Sequence, residues 1–598
     1  MLVQKSHRHE VVTLEHGSFL ASETVRVCAA RCKSSSGALV TRRSEVLPRW
    51  VEPGSVYGYD IEVRVGIQRF VHHLQREEIR QDLKARYGIY PSLGEVSAFA
   101  ASFIRHLEAL HRRRAPALRE ALARDGGYPL HIDATGEDGR GTLFVAYAGW
   151  RGWVLGSWKI STERADLILP RLREVPASFG TPCAVLRDLG KAVILAALGF
   201  VKELGRTIPI ISCHQHFLSD VGEDLLESSH DELRNLFRRW KIRPRLRTLA
   251  RDLGRRIGPK ISSLRVDVSV WAEEATEHRL PEGPVGLATV RSLAQWALDY
   301  PSDGDHLGFP FDRPYLDLYE RCRMVRRAAD AFRRRPMKDG GVLRPLKRLS
   351  KILDPVITEP SFTRVAKIMS NRVKLFDELR VALRLNPKSA NEPKPDPNTA
   401  AAEQASAELR DIRKALGALT RSLRRRRPAR GPAQDSREAI DIILDHLKRH
   451  GKSLWGHAIQ MPARVGGGIR VVARTNNQLE GFFHQMKHGE RRRSGRKVLS
   501  RDFEDLPAGA ALAYNLNHPD YVNLLCGSLK KLPEAFAALD HSNRARDRKR
   551  SSPDPLELET FSASFPQADR RIVRADRLRR IIEDAARSRA PRLNLASG

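Results

Sequence analysis

The sequence predicts a mixed α/β fold: one sheet, preceded by a helical region and interrupted by a large, mostly helical insertion. Three observations carry this. Residues 129–213 alternate strand-like and helix-like runs, residues from about 228 to 464 read as charged helices, and residues 57–124 show apolar side chains at helical spacing.

Residues 1–50 form a polar N-terminal segment. His7, His9, His16, Cys28 and Cys32 are potential zinc ligands there, but the Cys-x3-Cys spacing is loose and no second cysteine pair follows, which marks at most a degenerate zinc-binding region. Over 51–128, "VGIQRFVHHLQREEIRQDLKARYGI" and "SLGEVSAFAASFIRHLEALHRRR" read as two helices broken at "YGIYPSL", with Ser92 and Glu95 as a capping box. The pair is either a helix-turn-helix DNA reader or a helical scaffold for the domain that follows.

The next hundred residues are the most ordered. "PLHID" is a short strand ending at Asp133, and "TLFVAYAGW" and "WVLGSWKIS" are two strands joined at Arg151-Gly152. "TERADLILPRLREV" is a helix capped by Thr162 and kinked at Pro170; "CAVLRD" is a buried strand ending at Asp188; "GKAVILAALGFVKELG" is a helix and "IPIISC" a further strand. Strand, hairpin, third strand, helix, strand, helix, strand is the order of a ribonuclease-H-like fold. This domain is expected in two parts, 129–230 and 471–530, flanking a helical insertion over 231–470, with a basic tail over 531–598. The insertion contains a linker-like stretch at 386–399 and the block "RSLRRRRPARGP", whose six arginines between Arg421 and Arg430 read as a phosphate-binding patch or a solvated helix end.

Charge indicates the partner. Lysine and arginine number 104 against 71 acids, a formal balance of +33 and a sequence pI near 10.4, so a polyanion is expected. With 41% hydrophobic residues the chain builds substantial cores and is not a disordered basic arm. The longest apolar run, Ala192 to Val201, has ten residues, half of what spans a bilayer, and the N-terminus has no apolar signal region; no membrane role is expected. Six scattered cysteines make no disulfide framework and suit a reducing, cytoplasmic compartment.

The chemistry rests on acids. In the predicted arrangement Asp133 and Asp188, 55 residues apart, end two adjacent strands. Carboxylates brought that close repel, and divalent ions relieve the repulsion; hard oxygen ligands suit Mg²⁺ or Mn²⁺, and two ions suit an in-line phosphodiester displacement. Glu480 supplies the third acid. Thr475 with Gln478 reads as a capping box that starts its helix, with Asn477 a competing cap. On that helix Glu480, His484, Lys487 and Arg491 share one face, leaving Phe482, Phe483 and Met486 for packing. His484, Lys487, Arg491, Arg492, Arg493, Arg496 and Lys497 are the expected contacts to a DNA backbone. Taken singly, a strand-end aspartate is a turn former and a glutamate on a basic helix an ion-pair partner; the conjunction of the three selects the metal site. Asp166, Asp220 and Glu223 compete but fall inside helices.

At "LHIDATGE", "AVLRDLGK", "CHQHFLSDVGEDLL" and "TNNQLEGFFHQMKHGERRRSGRK" the chain resembles the DDE transposases of bacterial and archaeal insertion sequences, in the branch similar to mutator-like elements. The resemblance runs from about Tyr57 to Leu525. It implies a DNA transposase that uses Asp133, Asp188 and Glu480 with two Mg²⁺ or Mn²⁺ ions to cut double-stranded DNA at element ends and join it to a target. Such an enzyme assembles as a homo-oligomer on DNA and associates with the nucleoid. The Cys-x2-His pair Cys213 and His216 matches a motif of that branch, with a structural role. Two departures stand out: Arg187 precedes Asp188 where a small or polar residue is usual, and the N-terminal cysteines are too few for a zinc ribbon. The alternatives are a nuclease or resolvase that cuts without joining, and an inactive DNA-binding derivative of a transposase.

Overall fold

A computed structural model describes residues 2–550 other than 34–36, 38, 53, 138–139, 259–260, 275–278, 305–306, 336–337, 386–398 and 432. Two compact units divide the chain. The smaller takes the residues up to His7, Thr24–Arg43 and the chain from Asp540 on; the larger is Arg8–Glu23 with Ser44–Leu539 and holds the central sheet, the insertion and the site residues.

The N-terminal segment is mostly strand, with β1 (Leu2–Thr13), β2 (Gly17–Val27), β3 (Thr41–Arg42) and a single helical turn, α1 (Leu47–Trp50). Where two helices are expected over 57–124 there are three: α2 (Tyr59–Phe70), α3 (Arg76–Tyr87) and α4 (Leu93–Arg124). The extra break falls in "VHHLQ", where His73 adopts φ 54, a left-handed conformation that a helix does not accommodate. Ser92 and Glu95 form the expected capping box, Ser92 Oγ accepting from the Glu95 N–H at 3.2 Å and Glu95 Oε2 from the Ser92 N–H at 2.6 Å. Phe103, Leu107, Leu110, Leu118 and Leu122 of α4 are buried in the same core as the central sheet, so α4 serves as a scaffold for that sheet.

The central sheet comprises β4 (Pro129–Glu137), β5 (Arg140–Ala148), β6 (Trp153–Lys159), β7 (Ala184–Arg187) and β8 (Ile210–Ser212) in the order β6-β5-β4-β7-β8. β5 pairs antiparallel with β4 and with β6, while β7 pairs parallel with β4 and with β8, making the sheet mixed. Connecting helices α5 (Ala165–Phe179) and α6 (Lys191–Glu203) bury Ile168, Leu172, Val175, Val193 and Phe200 in this core. Two local expectations are corrected. Arg164 and not Thr162 is the residue before α5, and α5 continues through Pro170 and Pro176, its apolar stripe pinned in the core. Asp133 does not end its strand: β4 continues to Glu137, paired beyond Ile132 only with the hairpin partner β5.

The insertion has its own core. α7 (His214–Arg239) leaves the sheet and runs past residue 230, so the boundary expected there falls inside a helix. It is followed by α8 (Ile242–Ile257), α9 (Ile261–Glu274), α10 (Gly283–Leu298), α11 (Pro314–Arg333), α12 (Gly340–Thr358), α13 (Pro360–Ala382), α14 (Thr399–Arg426) and α15 (Gln434–His450). Phe217, Val221, Leu225, Leu246, Val325, Leu346, Phe362 and Ile443 are among the residues buried in that second core. The linker-like stretch lies outside the described residues save for Thr399. In the arginine block, Arg426 is paired with Glu378 and Arg427 with Asp441, which turns two of the six arginines into helix ties.

The chain returns to the sheet through the hairpin β9 (Ala458–Gln460) and β10 (Ile469–Val471), then α16 (Asn477–Ser494), α17 (Ser500–Asp505), α18 (Pro519–Cys526) and α19 (Leu532–Arg550). The rest of the expected tail lies outside the described residues. Among the described residues no helix is long and apolar enough to cross a membrane.

Candidate active site

Register brings the first two acids together. The parallel pairing of β4 with β7 ends at Ile132 opposite Arg187, so Asp133, still within β4, and Asp188, one residue past the end of β7 and not its last residue as expected, follow the same pair. Asp133 is buried; Oδ1 accepts from the Ala134 N–H at 2.7 Å, and Oδ2 accepts from Asn476 Nδ2 at 3.3 Å. Burial, reinforced by the charge of Asp188, pushes the Asp133 carboxyl up to about 8. Asp188 is raised as well, chiefly by burial, and its Oδ1 accepts from the Gly190 N–H at 3.2 Å. The unusual Arg187 is buried; one guanidinium nitrogen donates to the Asp188 carbonyl at 2.6 Å, and burial lowers its pKa.

The third acid arrives on α16. Glu480 lies in the first turn, where the helix N-terminus favours a negative charge. Its Oε1 is 3.7 Å from His216 Nε2 and is buried without a hydrogen-bond partner. Burial taken alone would lower the pKa of His216, yet Cys213, Glu480 and Asp133 outweigh it and the net shift is upward, which favours the imidazolium. The ligand atoms of Cys213, His216 and Glu480 all lie within 4.8 Å of one another. Among the described residues this is the one such group of three donors, and the N-terminal histidines and cysteines are outside it.

His214, between those two, is turned away. It is buried, its Nε2 meets the Leu454 carbonyl at 2.9 Å, and burial holds it neutral, down to about 4. Tetrahedral zinc at Cys213 and His216 therefore gains no ligand from His214.

Two residues that sequence reasoning missed organise the site. Asn476, fully buried, donates to Asp133 and accepts at Oδ1 from His131 Nδ1 at 3.1 Å, while its backbone N–H donates to Cys213 Sγ at 3.3 Å. His131 is held neutral by burial, down to about 4. These bonds explain why the expected caps of α16 fail: the residue before the helix is Asn476, with its side chain committed to the sheet, and neither Thr475 nor Asn477 occupies that position. His131 stands two residues before Asp133 on one strand and so on the same face, a signal the sequence carries. Glu163, raised by burial and by Asp188, and Asp220, raised by burial, Glu223 and Asp188, add acids at the margin. Asp166 is exposed and paired with Arg164.

The basic residues of α16 divide into two groups. Lys487 Nζ donates to the Gly136 carbonyl at 3.0 Å, and Arg491 lies 3.4 Å from Glu137. Arg493 bonds to buried Glu490 at 2.7 Å and to Asp502 at 2.6 Å, and Arg496 reaches Asp502 at 3.3 Å. Arg69 of α2 completes this network at 2.8 Å from Glu490. Next to it the His73 ring lies against Gly489, where any Cβ would stand about 2.3 Å from the imidazole. The side chains of His484, Arg492 and Lys497 are exposed, and Phe482, Phe483 and Met486 are buried as expected.

No known family model and no curated protein sequence matches this chain.

Proposed function

We propose that the chain is a divalent-metal-dependent DNA transposase of the DDE kind, with Asp133, Asp188 and Glu480 as its metal-holding acids. One observation carries the reading: acids from three distant segments converge, Asp133 and Asp188 following the last pair of β4 and β7, and Glu480 brought in by α16 with its Oε1 3.7 Å from His216. The strand order, with an antiparallel hairpin on one side of β4 and parallel strands on the other, supports regarding the sheet as ribonuclease-H-like.

The three acids are of the type that holds a hard cation, while the tight donor group of Cys213, His216 and Glu480 brings a thiol and an imidazole beside them. The donors of the acids are carboxylate oxygens, Glu480 Oε1 is buried without a hydrogen-bond partner, and Asp133 and Asp188 are both destabilised as anions by burial, a cost that a bound cation relieves. Two such ions, Mg²⁺ or Mn²⁺, would activate a water or a 3′-hydroxyl and stabilise the leaving oxygen.

The chain's own groups do the rest. Asn476 orients the Asp133 carboxylate, and His216 places a positive charge among the acids. Lys487 and Arg491 tie α16 to the end of β4, while His484, Arg492 and Lys497 meet phosphates from its exposed side. The substrates are the element ends and a target, both double-stranded DNA, bound by a homo-oligomer at the nucleoid.

The test is Glu480→Gln, which keeps the volume and the helix but removes the charge. We expect DNA binding to persist while nicking and joining in Mg²⁺ fall by several orders of magnitude, on the order of 10³ or more. Near-parental strand transfer in this variant would remove Glu480 from the site.

A further inference from the structure

A second charged surface lies in the insertion, on α8 and α12, which pack in the insertion core and not in the core of the central sheet. α8 carries six arginines against one aspartate, and α12 two arginines and two lysines against one aspartate. Both acids are already engaged: Asp252 with Arg348 at 2.9 Å, and Asp354 with Arg326 at 2.8 Å.

The two helices present these charges as one rigid face. Leu246, Leu249 and Leu253 of α8 and Leu346, Leu349 and Leu353 of α12 are buried in the insertion core, which turns Arg251, Arg255, Arg344, Lys347 and Lys351 outward. Cross-links at Asp252–Arg348 and from Arg256 to the Gly341 carbonyl at 3.5 Å hold the pair antiparallel, with the exposed bases on both sides of the seam.

We infer that this face is a binding site for the phosphate backbone of duplex DNA, separate from the active site. Sixteen residues of helix span roughly 24 Å, a length of duplex that carries about fourteen phosphates, far more charge than these bases bear. Arginine dominates on α8, and its planar fork suits phosphate oxygens. Seating on an anionic membrane is strengthened by apolar anchors, and of the exposed large apolar side chains only Ile357 lies on these helices, which favours DNA. A single strand requires aromatic platforms, and neither helix contains an aromatic residue. The assignment does not depend on the chemistry at Asp133.

The test uses the full chain, in EDTA, so that loss of cleavage has no bearing on it. The probes are a 30-base-pair DNA duplex of arbitrary sequence, an RNA duplex of the same sequence, and phosphatidylserine vesicles. One variant carries glutamine at Arg251, Arg255, Arg344, Lys347 and Lys351; a charge-matched control carries it at the exposed Lys84, Lys202, Arg206, Lys530 and Lys531. We expect the surface variant to bind the DNA duplex at least about tenfold more weakly near 0.1 M salt, and to flatten the slope of log K against log salt by about 3 to 5, with the control within about 1 of the parent. Equal loss in both variants, no loss in either, or loss confined to RNA or vesicles overturns the assignment. Arg251→Gln and Lys347→Gln, made singly, should each flatten the slope by about 1 and guard against misfolding of the fivefold variant.

Discussion

Asn476 Nδ2 stands 3.3 Å from Asp133 Oδ2, a bond between residues 343 positions apart that joins the start of α16 to the central strand. The same amide accepts from His131, so one buried side chain sets the orientation of the first acid and the approach of the helix that carries the third. Asn476→Ala leaves the His131 N–H buried without an acceptor, a cost of about 1–3 kcal/mol. We expect a lower thermal midpoint together with, on the proposed function, at least about tenfold slower single-turnover nicking, because a metal-holding carboxylate held less firmly loses productive geometry. Unchanged midpoint and rate would show that the bond positions nothing.

Glu490 and Arg492 make opposite predictions although only one residue separates them. Glu490 is 2% exposed and bonded to Arg69 and Arg493; Glu490→Ala leaves Arg493 its second partner Asp502 but strands the largely buried Arg69, and should lower stability by about 3 kcal/mol. Arg492 is exposed; Arg492→Gln should leave stability within about 0.5 kcal/mol of the parent and flatten the salt dependence of DNA binding by about 1. Urea unfolding and salt titration read the two effects. A stable Glu490→Ala, or an Arg492→Gln with unaltered slope, contradicts this division of labour.

His111 predicts an acid-sensitive contribution to stability. It is buried between the Tyr521 hydroxyl at 2.7 Å and the Leu155 carbonyl at 3.0 Å, and burial depresses its pKa from 6.5 to about 4. Below pH 6.5 the unfolded chain binds a proton that the folded one refuses, so this contribution is complete above pH 6.5 and declines as pH falls toward 4. Between pH 7 and pH 5 the parent should lose about 2 kcal/mol more than His111→Gln. Parallel stability curves for the two proteins would show that His111 titrates normally in the fold.

Strand cores were legible because β-branched and aromatic runs are bounded by turn residues, as at Thr142 to Trp150. Strand ends were not: β4 continues past Asp133 because β5 still offers hydrogen bonds there, a fact that belongs to the pairing and not to the segment itself. The acids on adjacent strands followed from element order. Asn476 did not, since its neighbours Asp133 and His131 are distant in sequence. Arg493 looked like a phosphate contact until Asp502 appeared beside it, although Glu490, three residues earlier, was a visible competitor.

On the proposed function, the spacing of the three acids also sets when the growing chain could first cut DNA. A ribosome reaches Asp188 well before Glu480, and at roughly 5–20 residues per second the intervening 292 residues take roughly 15 to 60 s. Once α12 is made, at Thr358, the nascent chain carries the basic faces of α8 and α12 but still lacks the helix that completes the acid set. On the same reading, a product truncated before residue 477 should occupy DNA without cutting it and antagonise the full-length protein, seen as a nicking rate that falls as the fragment is added.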